Sequence, residues 1–172
     1  MTLDPLAALV GYWGLALVFA GAAAHKLRDR SGFQDVLAAY DLLPPLLVPW
    51  MVGGLGLAEV AVAVGLVGQW PPAALAAALL LAVYAVAMAV NLGRGRRLRD
   101  CGCGGGIRPL SWGLVARNVL LVAVSLALLM PSGERALVPL DGFTALCALA
   151  ALAALQGAVD GLSSDAGGEE AR

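Results

Sequence analysis

The sequence predicts an all-α protein, an integral membrane helical bundle of four core transmembrane helices and a shorter fifth. Three observations predict it. Hydrophobic residues make up 60% of the 172-residue chain and charged residues 13%, against roughly 45–50% and about 25% in soluble domains. One domain of this length cannot hide so much Leu, Ala and Val from water, so lipid must solvate part of it. Apolar runs of near-spanning length recur along the chain, cut by Pro, Gly and charged clusters. Lys and Arg gather in alternate connections, as membrane topology demands. The net charge of −1 gives no electrostatic case for nucleic acid. Three cysteines are too few for a secreted disulfide scaffold.

A spanning helix needs about 20 mostly apolar residues. The first window covers 6–24 and ends at His25, Lys26 and Arg28. No Lys or Arg precedes it, so it reads as a retained helix rather than a cleaved signal, which wants a basic leading segment. The second covers 46–68, opened by Pro44 and Pro45 and closed by Gln69, Trp70, Pro71 and Pro72. The third covers 73–92 and runs into a basic segment; the fourth covers 110–130 and stops at Pro131, Ser132 and Gly133. The fifth, 142–159, is Ala-rich and sits at the low edge of the spanning range. These windows form one domain, 1–162, followed by a Gly-, Ser- and Glu-rich tail, 163–172, predicted to be disordered. Trp50, Trp70 and Trp112 fall near helix ends, where indole rings favour the headgroup zone.

Between the first two windows, Phe33, Val36, Leu37 and Tyr40 follow i, i+3, i+4, i+7 spacing, with Ser31 as the N-cap. The segment reads either as an amphipathic helix on the membrane surface or as a loop packed on the end of the bundle. Lys26, Arg28 and Arg30 lie in the first connection; Arg94, Arg96, Arg97, Arg99 and Arg108 lie in the third. With Arg172 they share one face if five helices cross, leaving Arg135 on the other face and Arg117 inside the fourth helix. The basic face is expected in the cytoplasm, with the N-terminus outside.

Chemistry concentrates between Asn91 and Gly106. Cys101 and Cys103 stand one residue apart, beside Asp100 and an arginine run that includes Arg94 and Arg96. Neighbouring cations favour thiolate, the reactive form of cysteine. Gly102 and Gly104–Gly106 permit turns and leave the sulfurs open. These features suggest a redox-active dithiol. Two other readings stand beside it: free thiols in a glycine-rich loop, or half of a metal site. A tetrahedral site wants four ligands, and only Cys147 and His25 remain as soft candidates. Cys147, on an Ala- and Leu-rich helix, reads as a small packing residue.

Intramembrane polar groups are the second signal. Glu59 lies near the middle of the second window, and Arg117 about two turns inside the fourth. A carboxylate at that depth is costly unless paired, protonated or facing a cavity. The two either form a structural ion pair or line a polar cavity for a quinone, another small molecule or protons. Asn91 and Asn118 can add interhelical hydrogen bonds. His25 and Lys26 read as an interfacial cap on the first helix.

The chain resembles the methylamine utilisation protein MauE family, related in architecture to DoxX-like membrane proteins. The resemblance rests on Ala24, His25, Lys26 and Leu27, then Phe33, Tyr40, Leu43 and Pro44, then Glu59. It is most specific at Asn91, Arg94, Gly95 and Arg96, and at Asp100, Cys101, Gly102, Cys103 and Gly104. Gly104 stands where the family often carries an aromatic residue. The resemblance implies help to a thioredoxin-like partner, MauD, in forming or rearranging disulfides in the exported methylamine dehydrogenase. A non-catalytic assembly scaffold and a quinone-binding bundle are the competing functions. An exported target also sits uneasily with cytoplasmic cysteines. Either the pair passes electrons outward through the bundle, or its loop folds back into the membrane.

Overall fold

The computed structural model describes residues 2–95, 110–133, 135–136 and 138–169, with side chains as far as 154. Six α-helices follow one another: α1 (Pro5–Arg28), α2 (Arg30–Ala39), α3 (Val48–Val67), α4 (Pro71–Gly93), α5 (Trp112–Ala127) and α6 (Pro139–Glu169). A 3₁₀ turn, Pro45–Leu47, leads into α3. No β-strand forms among the described residues; Leu3 and Ser132 make an isolated bridge.

Among the described residues, three helices are long and apolar enough to cross a bilayer: Pro5–Arg28, Pro45–Val67 and Pro71–Gly93. Two shorter apolar stretches, Trp112–Ala127 and Pro139–Ala154, accompany them. The expected fourth span, 110–130, is thus trimmed at both ends. Ser111 has extended backbone (φ −139°, ψ 156°), so the helix opens one residue later. At the far end, Leu129 and Met130 bond the carbonyls three residues back, a tightened turn rather than α-helix. Sixteen residues rise about 24 Å, short of a hydrocarbon core of roughly 30 Å. The helix α6 runs past the 142–159 window to Glu169, into the stretch where composition predicts disorder.

Proline opens α1 and α4 at the first turn, where its missing N–H has no helical partner to lose. Asp4 caps α1, accepting from the Leu6 N–H at 2.8 Å. The turn between α3 and α4 closes through Trp70 N–H to Gly65 O, with Gln69 in left-handed backbone at φ 54°. The helices alternate in direction, and Leu3 pairs with Pro131 and Gly133. The chain start, the α3–α4 turn and the α5–α6 connection therefore share one end. The other end holds the α1 terminus, α2, the start of α3 and the end of α4.

The main core lies toward the first of those ends. Tyr12, Leu15 and Phe19 from α1 meet Val62, Ala63 and Leu66 from α3 and Ala73, Ala74, Ala77 and Leu81 from α4. The small residues of α4 let backbones approach closely, the usual route to tight helix packing in lipid. A Cβ placed on Gly65 would stand 2.7 Å from the Ala73 Cβ, so that approach depends on glycine. Outward-facing Leu57, Val64, Leu79 and Val86 remain exposed, as a lipid-facing surface requires. Trp50, Trp70 and Trp112 are exposed near helix ends.

Candidate functional site

The site grows from one helical stripe. On α1 the buried positions Ala8, Tyr12, Leu15, Phe19, Ala23 and Lys26 recur every three or four residues. Lys26 continues the stripe for one more turn, so its side chain enters the bundle instead of leaving it. A helical Cβ also leans toward the helix N-terminus, which aims the ammonium back into the protein. Lys26 is 2% exposed, and the expectation of an interfacial cap is corrected accordingly.

Glu59, in the middle of α3, is fully buried. Its Oε1 accepts from Lys26 Nζ at 2.5 Å and from the Tyr84 hydroxyl of α4 at 2.7 Å. Three helices therefore converge on one carboxylate oxygen. The Lys26 ammonium also lies 4.9 Å from the Phe33 ring centroid and 5.2 Å from that of Tyr84. Those distances are within reach of cation–π attraction. The second carboxylate oxygen, Oε2, is buried and has no hydrogen-bond partner among the described residues.

Arg117 is not the partner of Glu59. It is exposed on α5 while its neighbour Asn118 is buried, so the α5 face that meets the bundle carries the asparagine. A guanidinium on the outer face can snorkel to the interface without a protein partner. Asn118 and Asn91 are both buried, yet each amide donates within its own helix: Asn118 to Leu114 O at 2.9 Å and Asn91 to Ala87 O at 3.1 Å. The Asn91 side-chain oxygen is buried without a partner among the described residues. His25 is partly buried, with its Nδ1 unpartnered among the described residues, and Arg94 is exposed at the end of α4. Cys147 is a free, exposed thiol on α6. Cys101, Cys103, Arg96 and Asp100 lie outside the described residues.

Helix α2 forms, and it packs on the end of the bundle. Asp29, not Ser31, is its N-cap, accepting from the Gly32 N–H at 2.9 Å. Phe33 and Tyr40 are buried; Val36 and Leu37 face a cavity of about 210 Å³. The cavity lies between α2, the first half of α3 and the second half of α4, and Lys26 is its one charged wall residue among those described.

Reasoning from sequence missed Tyr84 and the inward turn of Lys26. Both were signalled by periodicity: Ala77, Leu81, Tyr84, Met88 and Asn91 continue one face of α4 as Lys26 continues that of α1.

A family model described as methylamine utilisation protein MauE matches residues 4–131. The methylamine utilization protein MauE of Paracoccus denitrificans is 45% identical over 141 residues, covering 78% of this chain and 75% of that protein. That of Methylophilus methylotrophus is 37% identical over 134 residues, 74% of this chain and 67% of the relative. That of Paracoccus versutus is 43% identical over 126 residues, 70% and 68% respectively. No solved structure matches.

Proposed function

The chain belongs to the methylamine utilisation protein MauE family, and from that premise we propose that it is a membrane accessory of methylamine utilisation that carries out thiol–disulfide exchange. The observation that carries the reading is the family match itself, which runs continuously from 4 to 131 and so includes Cys101 and Cys103. Paired thiols one residue apart, next to arginines, have the chemistry for exchange.

In the exchange, a thiolate of a thioredoxin-like, MauD-like partner attacks the Cys101–Cys103 disulfide. The S–S bond breaks, a mixed disulfide forms, and the partner's second thiol resolves it. The partner leaves with a disulfide, and Cys101 and Cys103 leave as thiols holding the two electrons and two protons. Lys and Arg asymmetry supports a cytoplasmic basic face and an outside N-terminus. The exchange draws electrons from the partner into the pair, and an exported target is reached through that partner rather than by the chain directly.

The test is maturation of methylamine dehydrogenase in a host that depends on this chain. Cys101→Ser and Cys103→Ser should each abolish correct disulfide formation in the target while leaving the bundle inserted and abundant. Normal maturation with either variant would favour a non-catalytic scaffold.

A further inference from the structure

The cavity beside Lys26 has the features of a ligand site. Its walls are Phe33, Val36, Leu37, Leu55, Tyr84 and Met88 and their apolar neighbours, closed at one point by a buried ammonium. An ammonium has three N–H donors. Glu59 Oε1 is the one hydrogen-bond acceptor seen for Lys26 among the described residues. A buried donor without an acceptor is costly, and ring faces compensate only partly. Apart from Lys26 and the hydroxyls of Tyr40 and Tyr84, the described walls are apolar and offer water little to hold it. An apolar molecule carrying its own acceptor would satisfy the wall and the ammonium together.

Size and access narrow the choice. A dry cavity of roughly 150 Å³ accepts a benzene ring, so 210 Å³ accommodates a substituted six-membered ring. The rim residues Leu42, Met51 and Val83 are 40%, 37% and 59% exposed, on the outside of the bundle. The mouth thus opens sideways toward lipid near the first turns of α3, not along a water-filled axis.

We propose that this cavity binds the headgroup of a membrane quinone, with a quinone carbonyl accepting from Lys26 Nζ and the isoprenoid tail leaving past Leu42, Met51 and Val83. The aromatic faces of Phe33 and Tyr84 offer a surface for the ring. The purpose, though not the place, of the site rests on the dithiol reading above. A quinone is a two-electron oxidant of the class that returns Cys101 and Cys103 to the disulfide. Two S–H bonds break and one S–S bond forms; the quinone gains two electrons and two protons and leaves as the quinol. Lys26 and Tyr84 are positioning residues for the ring.

The experiment is equilibrium binding to the full chain in nanodiscs of quinone-free phospholipid, with decylubiquinone as probe and decylbenzene, which lacks carbonyls, as comparison. Decylubiquinone should bind saturably, one molecule per chain. Leu37→Trp, which fills the cavity from α2 without touching the ion pair, should weaken it by about tenfold or more. Lys26→Met combined with Glu59→Gln, which removes the charge while leaving no lone carboxylate, should weaken it by about tenfold. Neither effect should depend on the thiols, so a Cys101→Ser/Cys103→Ser variant should bind as the wild type does. Equal binding of decylubiquinone and decylbenzene, or no loss in Leu37→Trp, would overturn the proposal and leave a space for acyl chains. Binding as described, with no quinol formed by the reduced wild type, would uphold the site and overturn the quinone as the oxidant of Cys101 and Cys103.

Discussion

Lys26 sits at the end of an apolar stripe, and among the described residues its charge is balanced by one fully buried carboxylate, Glu59. Removing one partner of such a pair strands the other charge, which typically costs about 3–5 kcal/mol, whereas replacing both by apolar groups is often neutral. Lys26→Met should therefore lower the thermal midpoint in detergent sharply, and Lys26→Met/Glu59→Leu should recover most of the loss. A double variant no more stable than the single one would show that the pair is not coupled as the geometry implies. Glu59 was legible in sequence as a buried group needing a partner, because a carboxylate in mid-helix is rare in lipid. Its partner was not legible. Lys26 sits beside His25 and Arg28, where composition suggests an interface, and only the register of α1 turns it inward. Arg117 attracted the assignment by depth alone, although depth says nothing about which side of the helix a residue occupies.

At the scale of elements, the helix α2 was legible from its i, i+3, i+4, i+7 apolar face, but its cap was not. Ser31 and Asp29 are both good N-caps, but Asp29 (φ −125°, ψ 73°) is where the backbone leaves the helical region between α1 and α2, and Ser31 lies inside α2. Asp29→Ala should loosen α2 by about 1 kcal/mol, seen as faster amide exchange at Gly32 and Phe33, while Ser31→Ala should change little. The reverse pattern would return the cap to Ser31. Long apolar windows located α1, α3 and α4 well because length and hydropathy are decisive for spans. They overran α5, whose ends are set by Ser111 and by the turn at Leu129, local backbone choices that hydropathy does not report. The α3–α4 approach gives a third test. Gly65→Ala should destabilise by about 1–3 kcal/mol through overpacking against Ala73. Gly53→Ala, which meets nothing within 4 Å, serves as the control and should be neutral or slightly stabilising. Equal effects at the two sites would mean that α3 and α4 do not approach through Gly65.

At the scale of the whole molecule, alternating helices put His25, Lys26, α2 and Arg94 at one end and Leu3, Gln69 and Ser132 at the other. The quinone cavity belongs to the first end, and Cys101 and Cys103 follow α4 from that same end in sequence. In a background with every native cysteine changed to serine, Gln69→Cys should react with a membrane-impermeant maleimide on intact cells, and Arg94→Cys should react only after lysis. The opposite labelling would invert the bundle and place the native cysteine pair outside. The proposed function turns on those two thiols, and the most direct measurement is the alkylation mass shift of the purified protein. Cys147→Ser must be present, since the exposed Cys147 would otherwise add its own label. After mild oxidation the chain should take up no alkylating agent, and after mild reductant it should take up two, reversibly over repeated cycles. Two labels under every oxidant tried would contradict a redox pair and leave the chain an assembly factor without thiol chemistry.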